Sequence, residues 1–296
     1  MSSWPAPLRR GDRVQLAAAS SALQADALER LEGGIAVLES WGLQVDPHPQ
    51  PLRRWGHLAG TDPERLSDLR SQAPLLACLR GGWGAARLLE QPGLFGPSGG
   101  GRWLLGYSDV TSLLWARQAA GFQGGIHGPM LTSLAAEPSW SQERLRHLLF
   151  GEPLPALAGT PWVSGVAEGP VLVGNLTVAT HLLGTPHLPE LRGAVLVLED
   201  IGEAPYRLDR MLTHWRLCGA LQQLAGIGFG SFSGCNNDDD DANDTWRAVL
   251  QERTSDLGIP VLADLPVGHE PGNAALALGQ RVRLDANRAE LAVLKA

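Results

Sequence analysis

Trp103-Leu104-Leu105-Gly106-Tyr107-Ser108-Asp109-Val110-Thr111-Ser112-Leu113-Leu114-Trp115 reads as a buried strand, a tight turn and a helix in direct succession. A serine on such a turn projects its hydroxyl outward, while the next backbone N–H groups, orphaned at the helix start, point toward any oxygen that gains negative charge nearby. Ser108 therefore fits a nucleophile. It equally fits a helix cap, the commonest task of a serine at this place, and the tetrapeptide Gly106-Tyr107-Ser108-Asp109 alone leaves both roles open.

The same alternation runs outward from this point toward the N-terminus. Residues 13–19 form an apolar strand ending in Ser20-Ser21. Residues 25–41 carry helical spacing through Leu28, Leu31, Ile35 and Leu38, and Gly42 closes that helix. Leu43-Gln44-Val45 begins a second strand, 63–72 reads as helix, and Leu75-Leu76-Ala77-Cys78-Leu79 is a near-continuous apolar strand. Strands alternating with helices predict an α/β fold with a mostly parallel, Rossmann-like or flavodoxin-like sheet. Active groups in such sheets gather beyond the carboxyl ends of the strands. Ser108 lies at one such end, and Arg80-Gly81-Gly82-Trp83-Gly84 at another.

The second half has a different texture. Residues 151–168 are rich in Pro, Gly and Ala without periodicity, which suits a linker. Beyond it come short apolar runs at 171–173, 194–198, 227–229, 260–262 and 281–284, with helical stretches at 208–221 and 244–257. The expected organisation is a nucleophile-bearing domain at 1–150, a linker at 151–168 and a smaller, strand-rich α/β domain at 169–296. The length of 296 residues suits two cores. The acidic run at 236–244 lacks the glycine and terminal glutamate of a calcium loop and reads as a solvated loop. Gly99-Gly100-Gly101 reads as a turn.

Composition excludes several classes. A hydrophobic fraction of 44% and a charged fraction of 19% are those of a globular protein. A formal net charge of −7 with no Lys/Arg cluster argues against a nucleic-acid partner. No run approaches the roughly 20 apolar residues that span a bilayer, and no basic segment precedes an apolar signal core, so the expected location is the cytoplasm, away from membranes. Cys78, Cys218 and Cys235 are too few and too far apart for a disulfide framework or a zinc site and are expected to be reduced and mostly buried. The glycines near Gly81 and Gly99 lack the Gly-Lys-Ser/Thr ending of a phosphate loop.

A serine hydroxyl needs an adjacent base and a carboxylate that orients it. Glu199 ends the run Val195-Leu196-Val197-Leu198 where a buried strand opens to a surface; Asp200 adjoins it, and Glu203 is the rival carboxylate. Of the eight histidines, His269 lies in the Gly/Pro-rich loop at 265–273, the kind of segment that carries catalytic groups. His127, after Gly124-Gly125, is the second candidate.

Together these stretches resemble the ordered landmarks of the LD-carboxypeptidase family. They are Arg80-Gly81-Gly82-Trp83-Gly84, Gly106-Tyr107-Ser108-Asp109, His127-Gly128-Pro129, Gly174-Asn175-Leu176, Leu198-Glu199-Asp200-Ile201-Gly202-Glu203, Tyr206-Arg207-Leu208-Asp209-Arg210-Met211 and Gly268-His269 with Asn273. The family comprises cytoplasmic serine peptidases related to muramoyltetrapeptide carboxypeptidases and microcin C immunity proteins. The resemblance implies a Ser108-Glu199-His269 triad with Ser108 from the first domain and the other two from the second. It also implies an oxyanion hole from the backbone N–H groups of Gly82 and Asp109, and no cofactor or metal. It implies a homodimer, and as substrate a small peptide, a cell-wall tetrapeptide losing its terminal D-alanine. Recognition of a terminal carboxylate calls for a cation, for which Arg80 and Arg207 are the candidates. The chain departs from the family pattern at Trp83, where tyrosine is usual, and at Ala19-Ser20, where proline-serine is common. Trp83, beside the oxyanion loop, bears on substrate choice.

The alternative on the same fold is hydrolysis of a peptidyl-nucleotide or acyl-sulfamoyl adenylate. That activity calls for an aromatic side chain to stack the base, with Trp215 and Trp246 as candidates. A small-molecule binding protein has no use for a serine, a strand-end glutamate and a loop histidine together.

Overall fold

The computed structural model describes residues 4–91, 93–95, 101–236 and 245–294. The acidic run beyond Asn236 and the glycine turn before Gly101 lie outside the described residues. The chain divides into two compact units, one of Met1–Pro153 with Ala274–Leu278, the other of Leu154–Asn273 with Gly279–Ala296.

The first unit is built on β1 (Arg13–Ala17), β2 (Gln44–Asp46), β3 (Leu75–Cys78), β4 (Trp103–Gly106) and β5 (Gly125–His127). Its helices are α1 (Leu28–Ser40), α2 (Asp62–Leu69), α3 (Thr111–Ala119), α4 (Leu131–Leu134) and α5 (Ser139–Phe150). Every residue of β3 and β4 is buried; strands covered on both faces need continuous apolar runs, which is why these two were readable as strands. The five strands pair in parallel in the order β2-β1-β3-β4-β5. This is the flavodoxin-like order, whose switch point lies between β1 and β3. A last strand, β12 (Leu276–Ala277), returns to close the sheet antiparallel to β5. The buried Arg144 of α5 holds it by donating from Nε to the Ala275 carbonyl at 3.0 Å. In α1, Leu31, Gly34 and Leu38 face inward. A Cβ at Gly34 would come within 2.0 Å of the Leu131 carbonyl oxygen, so glycine lets α1 lie directly on α4.

The second unit carries β6 (Leu157–Ala158), β7 (Thr160–Val163), β8 (Val166–Asn175), β9 (Val195–Ile201), β10 (Gly226–Ser233), β11 (Val261–Ala263), β13 (Arg281–Asp285) and β14 (Glu290–Val293). They form one sheet in the order β6-β14-β13-β8-β9-β10-β11-β7. The inner strands β8 to β11 are parallel, and antiparallel strands extend both sides. Its helices are α6 (Leu176–His181), α7 (Pro205–Leu217) and α8 (Trp246–Thr254).

The expected linker at 151–168 is instead part of this sheet, supplying β6, β7 and the first residues of β8. Its Pro-rich composition is that of edge strands: Pro161 sits in β7, at the end of the strand order, where a missing N–H costs no ladder bond. Cys78 and Cys235 are buried as expected, whereas Cys218 is exposed at the end of α7. Among the described residues no helix is long and apolar enough to cross a membrane.

Candidate active site

In the first unit, the chain leaves β4 at Gly106 and turns at once. A Cβ on Gly106 would meet Val110 Cγ1 at 2.6 Å, so glycine is needed for the turn to fold back this tightly. Ser108 then adopts φ +60°, one of three non-glycine residues with positive φ among those described. L-residues enter that region only when the surrounding structure enforces it, and such strain clusters at functional turns. Ser108–Val110 form a single 3-10 turn that leads into α3. The N-cap positions of this turn and of α3 are Tyr107 and Val110, not Ser108, and neither is capped by a side chain.

The loop after β3 packs against this turn. A Cβ on Gly81 would lie 3.0 Å from Ser108 Cβ and 3.1 Å from its Oγ. Gly82, at φ +105°, has Ser21 Oγ where a Cβ would stand, at 2.4 Å. Ser21, four residues beyond β1, organises the loop: its N–H donates to Gly81 O at 3.3 Å, and its Oγ accepts from Trp83 N–H at 2.9 Å. Among the described residues none accepts a hydrogen bond from the N–H of Gly82 or of Asp109, the two donors expected at an oxyanion hole. Both lie at the carboxyl ends of β3 and β4, as the sheet order favours.

In the second unit, Glu199 is fully buried near the end of β9. Its Oε2 lies 2.6 Å from His269 Nδ1. Glu203, the rival carboxylate, turns instead to Arg207 at 3.4 Å. Several backbone N–H groups help to hold the histidine loop. His269 N–H donates to Ser231 Oγ at 3.1 Å, Gly268 N–H donates to Asn273 Oδ1 at 3.0 Å, and Ser231 N–H donates to Val267 O at 2.8 Å. Gly268 has φ +129°, and a Cβ there would stand 2.4 Å from Ser231 Oγ and 3.0 Å from Glu199 Cβ. Only glycine lets the loop approach β9 this closely.

The electrostatics of this pair are directional. Burial disfavours the His269 imidazolium, but the hydrogen bond and charge of Glu199, with Asp200 and Glu270 behind it, hold its pKa above the ordinary value. A carboxylate at Nδ1 fixes the proton there and leaves Nε2 as the basic nitrogen. Asp200 faces away and serves structure: it accepts from Asn175 Nδ2 at 2.8 Å and from Thr177 N and Oγ1 at 2.9 and 2.8 Å. Burial pushes its carboxyl up to about 6, and the neighbouring Glu199 charge adds to that.

The remaining candidates divide. His127 is fully buried on β5, edge-on to Tyr107 at 5.7 Å, a core position. Arg80 is half-buried and donates from Nη1 to Ala22 O at 3.1 Å. Trp83 is 48% exposed beside the Gly82 loop, its ring 6.0 Å from that of His57. Arg207 lies exposed on α7, bonded to Glu203 and to the Tyr206 hydroxyl. Trp215 is fully buried with Nε1 donating to Thr180 Oγ1, so it cannot stack a base, and Trp246 is already stacked on Phe232. Sequence reasoning missed Ser21, Ser231 and the side chain of Asp109; of these only the pair Ser20-Ser21 at a strand end carried a visible signal.

Residues 14–128 match the model of the LD-carboxypeptidase N-terminal domain, and residues 168–284 that of the LD-carboxypeptidase C-terminal domain. The chain belongs to the LD-carboxypeptidase family. It is 44% identical to a putative carboxypeptidase of Synechocystis, over 98% of this chain and 97% of that one. It is 34% identical to the murein tetrapeptide carboxypeptidase of Pseudomonas aeruginosa, over 93% and 94%. Membership of the LD-carboxypeptidase family makes the chain a peptidase. Among solved structures, the microcin C7 self immunity protein MccF in its inactive mutant apo state superposes with a TM-score of 0.87 over 99% of this chain and 98% of that one. At 21% identity that likeness speaks for the LD-carboxypeptidase fold alone.

Proposed function

We propose that this LD-carboxypeptidase family member is a cytoplasmic serine carboxypeptidase that releases the terminal D-alanine of murein tetrapeptides. Ser108 is the nucleophile, His269 the general base and acid, and Glu199 the group that holds the imidazolium. The observation that carries the reading is the buried Glu199 Oε2 to His269 Nδ1 hydrogen bond of 2.6 Å. A glutamate sealed from water and aimed at one ring nitrogen serves a base far better than a surface histidine.

In this reading Ser108 Oγ attacks the carbonyl carbon of the L,D-amide as its proton passes to His269 Nε2. The oxyanion is received by the N–H groups of Gly82 and Asp109, a stabilisation of about 3 kcal/mol per donor. The C–N bond then breaks, with His269 returning the proton to the leaving amine of D-alanine. Water, deprotonated by the same imidazole, hydrolyses the acyl-enzyme and frees Ser108. Arg80 is the candidate for the terminal carboxylate. The identity to the Pseudomonas murein tetrapeptide carboxypeptidase supports the choice of substrate, and the closure of Trp215 in the core removes one of the two candidates for the aromatic that the adenylate alternative would need.

The test is D-alanine release from L-Ala-γ-D-Glu-meso-diaminopimelate-D-Ala without added metal. Release by the wild type and none by Ser108→Ala is the expected outcome. Undiminished release by Ser108→Ala overturns the mechanism.

A further inference from the structure

The loop that carries Gly82 is fastened at its far end by two buried charged side chains that make no use of solvent. Arg65, on α2, is fully buried. Its Nη1 donates to Ala19 O at 2.6 Å and to Gly84 O at 2.7 Å, and its Nη2 to Asp62 Oδ1 at 2.5 Å. Asp62 is held in turn by Arg87 at 3.1 Å. From the other side, the carboxylate of Asp109, 2% exposed, accepts the Ala85 N–H at 2.8 Å. The peptide joining residues 84 and 85 is thus gripped at its carbonyl by a guanidinium and at its N–H by a carboxylate. Gly84 has φ +125°, and a Cβ there would stand 2.2 Å from Leu58 Cδ2 and 3.2 Å from Arg65 Nη1, so the grip requires glycine.

An ionised carboxylate and a guanidinium both lose hydration when buried, a cost that fixed hydrogen-bond partners offset; both terminal nitrogens of Arg65 are held in this way, while its Nε has no partner among the described residues. Burial pushes the Asp109 carboxyl up, against the pull of the Ser20 hydroxyl, then of the Ala85 and Gly84 N–H groups and of Arg65. A surface loop of this length would need neither group merely to close.

We infer that Asp109 and Arg65 are positioning residues: together they clamp the 84–85 peptide and thereby hold the Gly82 N–H in register with the turn of Ser108. Because the Asp109 main chain follows the nucleophile while its side chain holds the loop, one residue couples the two halves of the oxyanion hole. The inference rests on the proposed roles of Ser108, Gly82 and Asp109.

The experiment measures two rates for the full chain: tetrapeptide turnover, as kcat and KM, and labelling of Ser108 by a fluorophosphonate, whose phosphonyl oxygen gains negative charge in the oxyanion hole as serine attacks and fluoride leaves. For Asp109→Ala and Arg65→Met, kcat and the labelling rate fall together by about 100-fold while KM stays within about threefold, the loss that a misplacement of about 1 Å brings. Asp109→Asn, whose amide oxygen can still accept from Ala85, and Arg65→Lys, which can still reach one carbonyl, recover to within about tenfold of wild type. Thermal melts establish that each variant is folded. A folded Asp109→Ala or Arg65→Met that labels at the wild-type rate overturns the clamp. Should either fail to fold, wild-type labelling in both conservative variants overturns it equally. Labelling of wild type that persists in Ser108→Ala defeats the serine reading itself, and labelling without D-alanine release defeats only the choice of substrate.

Discussion

Glu199→Gln is the sharpest perturbation of the proposed chemistry, because it removes one charge and almost no volume from a fully buried site. Glu199 Oε1 has no hydrogen-bond partner among the described residues, so nothing fixes which end of a glutamine amide faces His269. If the amide nitrogen turns to Nδ1, the imidazole proton moves to Nε2 and the nitrogen that should accept from Ser108 is blocked. If the oxygen stays, the tautomer survives but the imidazolium formed during attack loses its counter-charge at 2.6 Å. The first case costs about 10,000-fold in kcat, or about 5.5 kcal/mol of transition-state stabilisation, and the second somewhat less. The pH profile separates this from general damage. His269 must be neutral to act, so wild-type kcat/KM rises with pH through its folded pKa, which Glu199 holds above the ordinary 6.5. In Glu199→Gln the burial of His269 is opposed by the weaker charges of Asp200 and Glu270 without that of Glu199, and the acid limb moves to lower pH. D-alanine release measured from pH 5 to 9 decides. A variant that keeps a tenth or more of wild-type activity, or an unmoved acid limb, refutes the role given to the pair.

Asp200 titrates near 6 when folded against an ordinary 3.8, so between those values the native state holds a proton that the unfolded chain has released. The group's stabilising share is whole below about 3.8 and is lost as pH rises through 6, about 3 kcal/mol in all; chemical denaturation of Asp200→Asn from pH 4 to 7 should show a flatter profile than wild type. Gly268→Ala forces a Cβ into Ser231 and Glu199 at φ +129°, costing about 1–3 kcal/mol of stability and displacing His269; urea melts and kcat should fall together. Trp83→Ala, at an exposed ring, should change stability by less than about 0.5 kcal/mol, and any effect should appear in KM across tetrapeptides of differing third residue.

The long apolar strands and the helices packed on them were legible in the sequence because both faces of β3, β4 and β9 are covered, leaving continuous Leu, Val and Ala runs. The two-residue strands β6 and β12 were not. A pair of residues has no periodicity, and β12 exists only because β5 offers an edge and Arg144 a donor. Glu199 and His269 stood out by position and chemistry, whereas their pairing across 70 residues of chain depends on the approach that Gly268 permits. Arg65 left no trace: in a helix an arginine beside Leu66 reads as solvated, and only the fold reveals that it faces the loop after β3.

The strand β12 belongs by sequence to the C-terminal quarter but completes the sheet begun by β1. During synthesis the first sheet therefore waits, with the β5 edge unpaired, until almost the whole chain has emerged. An unpaired edge invites other strands, so a nascent or truncated chain ending near residue 153 should be prone to aggregate. Neither unit is one contiguous stretch that can be excised, recombined or permuted at the 153/154 boundary without cutting into its partner's fold. Evolution by swapping whole domains is closed to this architecture unless the short return segment travels with the N-terminal part.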